Sequence, residues 1–295
     1  MENQKSGQVI NDTPFDPARE QSYREWREKK LQKYPKSLDR LVVEIEDPLN
    51  LSDSEFQAVM ERLRKTNMAI YTGPADPDSD RDMVRGLARR FGLEHLDNHM
   101  GADEDAISSL TVQEDALHKG FIPYTTRPIA WHTDGYYNDS EHQILGMVLH
   151  CVRPAAEGGA NQLLDHEILY MMLRDRNPAY IRSLMHPEAM TIPENVMNGK
   201  LVRPARTGPV FSILPGGQLH MRYTDRSRSI QWRNDPMTLE AVEVLKALLK
   251  TGSPYHFEGR LAPGQGLICN NVLHTRSGFE DAGEGRLLYR ARYYD

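Results

Sequence analysis

Residues 129–137 read IAWHTDGYY, an apolar run that leads into a histidine and an aspartate two positions apart. Successive side chains of a β-strand point to opposite faces, so His132 and Asp134 are expected on the same face, side by side. An imidazole beside a carboxylate is a pair of metal ligands that needs a third ligand from elsewhere in the chain. The sequence therefore predicts a metal site at the end of this strand.

A second run, NNVLHTRSGF at residues 270–279, supplies a candidate third ligand, His274. Two histidines and one carboxylate on one side of a metal leave three positions of an octahedron open, which is typical of non-haem Fe(II) oxygenases. Zinc hydrolases also bind metal through histidine and carboxylate, but usually in a tetrahedral frame with one open position. We predict that His132, Asp134 and His274 are the metal ligands.

Other histidine–acid pairs compete with this interpretation, because a His-x-Asp triplet is expected about once by chance. His95 and Asp97 form a second such triplet, and His256 with Glu258 form a His-x-Glu triplet. Residues 132–134 are preferred because they end a strand, precede an aromatic pair and have a partner element near the C-terminus. The triplet at 95–97 lies between a helix end and a loop.

Short apolar runs separated by turns dominate the chain after residue 105. This texture predicts a mainly β architecture with α insertions, an α+β fold built on a sandwich or barrel. Strands are expected in the runs ISSLTV, IAWHTD, LGMVLHCV, NQLLD, PVFSI, LHMRY, GQGLICNN and LLYRARYY. Helices are expected at 166–174, 178–186 and 238–250.

The preceding residues, 15–105, predict an α/β region packed on this core. Its clearest element is a helix over 52–66, with Ser52 as N-cap and Glu55 three positions later, the signature of a capping box. Residues 1–14 are predicted to be a loose tail. Because residues 132 and 274 must meet at one metal, we expect 15–295 to form a single domain.

Composition narrows the choice of partners. With 39% apolar and 26% charged residues, the chain is typical of a soluble globular protein. Its net charge of -6 argues against nucleic acid, and no apolar run approaches the roughly 20 residues that span a membrane. The N-terminus lacks a secretory signal, and Cys151 and Cys269 lie in apolar runs, so we expect buried cysteines, a cytoplasmic location and a small-molecule substrate. The sequence leaves open whether the chain forms a homo-oligomer.

Four motifs resemble the taurine dioxygenase-like family, which includes taurine dioxygenase, clavaminate synthase and the γ-butyrobetaine and trimethyllysine hydroxylases. They are WHTD at 131–134, GGAN at 158–161, NNVLHTRSGF at 270–279 and RLLYRARYY at 286–294, in the family's order. The resemblance covers the chain from about residue 40 to its end. It implies a distorted double-stranded β-helix, or jelly roll, that holds Fe(II) and uses 2-oxoglutarate and O2.

The resemblance also assigns residues to the co-substrate. Arg286, twelve residues after His274, matches the family's arginine for the distal carboxylate of 2-oxoglutarate, a role that suits the planar guanidinium. Asn161 falls where many relatives place a Thr or Asn that donates to the same carboxylate, although GGAN departs from the commoner GGDT pattern. Arg290 is assigned to both the co-substrate and the substrate pocket.

The implied reaction is hydroxylation of an aliphatic C–H, with release of succinate and CO2. Asp134 bears on this, since halogenating relatives replace that carboxylate with a small residue. A cupin-like metal enzyme that ignores 2-oxoglutarate and a non-enzymatic binding protein are the alternatives. The second is disfavoured because burying two histidines and a carboxylate without a partner is costly.

The substrate motifs point in two directions. Tyr124, with Tyr136 and Tyr137, is similar to the aromatic cage that holds a quaternary ammonium in the betaine hydroxylases. Arg290 instead matches the arginine that taurine dioxygenase directs at an anionic group, and Arg292 stands where the betaine hydroxylases have an aromatic residue. The basic stretch at 221–233 offers Arg222 or Arg226 to a further anion. An amino-acid-, sulfonate- or betaine-like metabolite is expected, and the acidic classes are favoured.

Overall fold

A computed structural model describes residues 13–76, 81–98, 106–113, 121–197, 199–226 and 230–295. Helices and mixed sheets alternate along the chain, which confirms the predicted α+β class. Elements are numbered along the chain, and the α-helices are α1 (Glu20–Leu31), α2 (Asp53–Thr66), α3 (Arg81–Arg90), α4 (His166–Arg176), α5 (Pro178–Leu184) and α6 (Pro236–Thr251). No helix in the described ranges is long and apolar enough to cross a membrane.

The larger sheet joins strands from both ends of the chain. In spatial order its six strands are β1 (Val42–Glu44), β2 (Met68–Thr72), β16 (Gln265–Cys269), β5 (Gly146–Arg153), β19 (Leu287–Tyr293) and β3 (Ser108–Leu110). Only β1 and β2 pair in parallel; the other neighbours are antiparallel. The N-terminal strands therefore extend the same sheet that the C-terminal strands build.

A four-stranded antiparallel sheet carries the candidate ligands. Its spatial order is β15 (Phe257–Gly259), β7 (Asn161–Leu164), β17 (Leu273–Arg276) and β4 (Ile129–His132). Apolar side chains of both sheets, among them Met147, Leu149, Leu164 and Leu273, belong to one buried cluster. The two sheets thus share a core.

Small sheets complete the β-structure. They pair β6 (Glu157–Gly158) with β18 (Phe279–Glu280), β9 (Asn195–Met197) with β10 (Lys200–Arg203), β12 (Phe211–Ile213) with β13 (Leu219–Met221), and β8 (Met190–Ile192) with both β11 (Arg206–Gly208) and β14 (Gln231–Trp232). Two 3-10 helices lie at Leu38–Leu41 and Ile122–Tyr124.

The alternation of β19 explains how its two charged residues are accommodated. Leu288 joins the core between the sheets, whereas Ala291 and Tyr293 pack in a second cluster with residues of α2 and α3. Arg290 and Arg292 share the face of Leu288, because side chains two positions apart lie on one face of a strand. The strand therefore directs two guanidinium groups inward.

Local predictions can be compared with this structure. The capping box of α2 is confirmed: Glu55 N–H donates to Ser52 Oγ (3.3 Å) and Ser52 N–H donates to the Glu55 carboxylate (2.7 Å). Cys151 and Cys269 are buried, as expected. Most of the predicted tail, residues 1–12, lies outside the described residues, but Thr13 is not loose, since its hydroxyl donates to the Gly217 carbonyl at 2.7 Å.

Candidate metal centre

His132 and His274 face each other across the β4–β17 pair. The two residues are direct partners in the strand register, and their ring centroids lie 4.1 Å apart. Each Nδ1 lies 2.9 Å from the backbone carbonyl two residues earlier, that of Ala130 or of Val272. A carbonyl only accepts, so Nδ1 carries the proton in both rings and each Nε2 presents a lone pair.

Asp134 completes the cluster just beyond the end of β4. The ligand atoms of His132, Asp134 and His274 all lie within 4.8 Å of one another, and all three side chains are buried. Asp134 Oδ1 accepts from Arg290 at 3.3 Å, whereas Asp134 Oδ2 is buried without a hydrogen-bond partner. A buried carboxylate oxygen without a partner is costly, and a bound cation would supply the interaction that Asp134 Oδ2 lacks.

Electrostatics give the three side chains the protonation states that a metal site needs. Burial, with a contribution from nearby His274, lowers the pKa of His132 to about 3, and burial also lowers the pKa of His274. Burial opposes ionisation of Asp134, but Arg290 and Arg292 hold its pKa well below the usual range. At neutral pH the site therefore holds two neutral imidazoles and a carboxylate, which fits a divalent cation.

A cavity between the two sheets opens directly beside this cluster. Its walls are mostly apolar, with side chains such as Ile70, Met147 and Leu267, and both His132 and His274 line it. Its polar lining includes Asn161, Gln265 and four arginines, Arg260, Arg276, Arg286 and Arg290. Among the described residues, the lining of this cavity includes arginines and no carboxylate, which favours an anionic ligand.

Two of these arginines, Arg276 and Arg286, differ in the hydrogen bonds that their guanidinium groups make. The Arg276 guanidinium donates to the carbonyls of Pro123, Ile122, Thr125 and Arg127, so it holds that loop in place. Arg286 is only 4% exposed, yet its one hydrogen bond from the guanidinium is a long one of 3.4 Å to Leu110 O. No ion pair to Arg286 occurs in the described parts of the chain. Burial lowers the pKa of Arg286 to about 10, so it stays a cation.

Asn161, which the sequence assigns to the co-substrate, is a cavity-lining residue whose amide is held in place. It begins β7 and lines the cavity, and its Nδ2 donates to Thr275 O at 2.8 Å, which fixes the amide. Arg290 lines the same cavity and also donates to Asp134, so it lies beside both the cavity and the candidate ligands.

The three tyrosines predicted to contact substrate have different surroundings. Tyr124 is 3% exposed and belongs to the hydrophobic core. Tyr136 and Tyr137 are half-buried and pack edge to face, with ring centroids 5.1 Å apart. Two guanidinium groups, those of Arg292 and Arg203, lie 5.9 and 6.0 Å from the Tyr137 ring centroid. Cations this close to the Tyr137 ring would repel a quaternary ammonium placed against it.

The rival histidine–acid pairs do not form sites. His95 is exposed and pairs with Asp295 at 2.6 Å, whereas Asp97 is buried and binds Arg292. Likewise His256 is hydrogen-bonded to Ser253, while Glu258 on the surface accepts from Gln162.

Arg222 and Arg226, the two candidates from the basic stretch, also separate. The Arg222 guanidinium is buried and donates to four backbone carbonyls, so it is occupied by the protein. Arg226 is exposed. Burial raises the pKa of Tyr136, and the nearby Arg226 guanidinium opposes that rise. Only Arg226 is placed to meet a ligand from solvent.

Sequence reasoning missed Asn271 and the Asp97–Arg292 ion pair. Asn271 contacts the backbone of Asp134, and Arg292 donates to Tyr137 Oη at 3.0 Å. These partners lie more than a hundred residues apart in the sequence, so no local pattern reports them. The sequence feature that could have pointed to Asn271 is the pair of asparagines, Asn270 and Asn271, in the motif that contains His274.

Comparisons with known proteins agree with this geometry. The family model "Taurine catabolism dioxygenase TauD, TfdA family" matches residues 29–292. A uridine-5'-phosphate dioxygenase from Amycolatopsis sp is 33% identical over 60% of this chain, although the match spans 64% of that protein, under two thirds of its length. A uridine-5'-phosphate dioxygenase from Streptomyces sp is 26% identical over 79% of this chain and 87% of that protein.

A solved structure has a similar fold at low sequence identity. An asparagine oxygenase in complex with Fe(II), 2S,3S-3-hydroxyasparagine and succinate superposes with a TM-score of 0.57 at 14% identity. The alignment covers 86% of this chain and 93% of that one.

Proposed function

This chain belongs to the TauD/TfdA family of dioxygenases, and from that premise we propose that it hydroxylates an aliphatic C–H of a small anionic metabolite. The chain is an Fe(II)- and 2-oxoglutarate-dependent dioxygenase. His132, Asp134 and His274 are the proposed iron ligands, and the observation that supports them is the convergence of three buried ligand atoms with one unpaired carboxylate oxygen. We also propose that the two larger sheets form the double-stranded β-helix.

The protein's contribution is to bind, orient and exclude water. Arg286 holds the distal carboxylate of 2-oxoglutarate in the apolar cavity, where a charge-assisted hydrogen bond is strong. Asn161 lies on the same wall and Arg290 lies next to Asp134. A bound iron would provide the redox chemistry, in which O2 oxidises the substrate while 2-oxoglutarate is converted into succinate and CO2.

The substrate side is proposed to bind an anionic group, with a nucleoside 5'-phosphate as the first candidate. Arg226 is exposed beside Tyr136, and Arg203 lies over Tyr137. Two relatives named as uridine-5'-phosphate dioxygenases support a phosphate ester. A betaine is disfavoured because guanidinium groups already flank the tyrosines.

A succinate-release screen tests the proposal. Purified enzyme with Fe(II), 2-oxoglutarate and O2 is given nucleoside 5'-monophosphates, free nucleosides, amino acids, sulfonates and betaines in parallel. We expect the amount of succinate released to rise with the amount of an anionic substrate added. In an Arg226→Gln variant, the KM for that substrate should rise roughly 10-fold or more, as expected for loss of a hydrogen bond to a charged group. Turnover of betaines alone would contradict the proposed substrate class.

A further inference from the structure

We propose that Asn271 is a positioning residue that fixes the backbone of Asp134, an inference that rests on the proposed iron site. The Asn271 side chain is hydrogen-bonded to both backbone polar atoms of Asp134, its N–H and its carbonyl oxygen. Asp134 N–H donates to Asn271 Oδ1 at 2.8 Å, and Asn271 Nδ2 donates to Asp134 O at 2.9 Å. Asn271 is 2% exposed, so water does not compete for these bonds.

The backbone of Asn271 is shaped for this contact. Its φ is +47°, in the left-handed region that asparagine tolerates better than most residues. The next residue, Val272, provides the carbonyl that accepts from His274 Nδ1 at 2.9 Å. One short loop therefore orients two of the three proposed ligands, Asp134 through the Asn271 amide and His274 through the Val272 carbonyl.

The same amide also closes the loop that carries the two tyrosines. Asn271 Nδ2 makes a second bond, to Ile144 O at 2.8 Å, so one nitrogen ties residue 134 to residue 144. The two ends of this loop lie close together. The φ of Gly135 is +64°, and a Cβ added there would lie only 2.4 Å from Ile144 Cγ1. Asn271 thus fixes the proposed ligand and the base of the loop that carries Tyr136 and Tyr137.

Asn270 provides a matched control in the same loop. Its Nδ2 donates to Asn67 Oδ1 at 2.9 Å and its N–H donates to Asn67 O at 2.8 Å, away from Asp134. An Asn270→Ala variant removes one side-chain hydrogen bond without touching the proposed ligands. An Asn271→Gly variant removes the clamp and keeps a residue that accepts positive φ.

Co(II) titration of the metal-free protein, followed by visible absorption, tests the inference without turnover. Binding of one equivalent by the wild-type protein is required by the proposed function, so its absence would refute that function rather than the role of Asn271. We expect Asn271→Gly to weaken Co(II) binding by roughly 10- to 100-fold, as for other residues that orient ligands, and Asn270→Ala to stay within about 2-fold of wild type.

A second variant keeps the test decisive if Asn271→Gly does not fold. Asn271→Asp can still accept from Asp134 N–H, but it cannot donate to the carbonyls of Asp134 and Ile144. We expect its Co(II) affinity and its visible spectrum to differ from those of wild type. Wild-type affinity in the folded Asn271 variants, or an equal loss in Asn270→Ala, would overturn the proposal.

Discussion

Two buried arginines beside one cavity show how the same residue type serves different purposes. Arg276 donates to four backbone carbonyls and organises a loop. Arg286 is buried with a single long hydrogen bond from its guanidinium and has no ion pair among the residues described. The hydrogen bonding of Arg286 therefore fits the proposed role of binding a carboxylate, and the same substitution at both positions tests the difference.

We predict opposite outcomes for Arg286→Met and Arg276→Met. Arg286→Met should weaken 2-oxoglutarate binding by about 100-fold, equivalent to about 3 kcal/mol. Its free energy of unfolding should equal or exceed that of wild type, because the substitution removes a buried charge that has no ion pair among the described residues. Arg276→Met should lower the unfolding free energy by about 3 kcal/mol or more, because carbonyls lose their donors. Calorimetric titration with 2-oxoglutarate and urea unfolding measure the two effects, and a stability loss confined to Arg286→Met would contradict both assignments.

The residues that sequence could identify are those with local signals. His132 and Asp134 are two positions apart on one strand, and Arg286 falls at a family spacing from His274. Asn271 could not be assigned, because its partner Asp134 lies 137 residues away and only the folded sheet brings them together. The assignment of ligand roles stays a prediction until metal binding is measured.

At the scale of elements, the central strands were predictable because their burial is nearly continuous. β5 reads GMVLHCVR and is buried along almost its whole length, so its apolar run stands out. The strands between residues 190 and 208 were missed because they are three or four residues long and partly exposed, with polar residues such as those of KLVR. Short polar strands have no periodic signal above that of a loop.

The helix that sequence placed best also offers a test at this scale. Ser52→Ala should remove the capping box of α2 and cost about 1 kcal/mol, a fall in Tm of about 2–4 °C. The Ser52 side chain lies on the surface at the start of α2, and its partners there are Ser54 and Glu55. We therefore expect kcat and the KM for 2-oxoglutarate to match wild type, and a changed KM would show that α2 communicates with the site.

For the whole molecule, the sheet order could not be inferred from the sequence. An α/β N-terminal region packed on a β core was expected, and its strands β1 and β2 extend the sheet that holds β5, β16 and β19, with β1 at the edge. Strand order depends on pairings between distant segments, such as Ile70 with Leu267, which local patterns do not encode. This arrangement places the cavity between the two larger sheets.

Buried neutral histidines should make the stability of the whole protein sensitive to acid. Burial lowers the pKa of His150 and of His220 to about 4, and neither is a proposed ligand. A free histidine has a pKa near 6.5, so between about pH 6.5 and 4 the unfolded chain binds protons that the folded chain does not, and stability falls as pH falls. Each histidine contributes a slope of up to about 1.4 kcal/mol per pH unit.

Urea unfolding of the metal-free protein from pH 7.5 to 5 checks this expectation. His150→Gln should reduce the slope of unfolding free energy against pH by up to about 1.4 kcal/mol per unit in the lower part of that range. An unchanged slope in this variant would mean that His150 binds a proton as readily in the folded protein as in the unfolded chain.

We propose that three side chains bind one iron next to a 2-oxoglutarate held by Arg286. Anaerobic addition of Fe(II) and 2-oxoglutarate to the metal-free protein should produce a weak visible charge-transfer band that saturates at one equivalent of each. We expect His132→Ala and Asp134→Ala to remain folded and lose the band, and Arg286→Met to require roughly 100-fold more 2-oxoglutarate to produce it. A band of wild-type intensity and affinity in His132→Ala would show that His132 does not bind the iron.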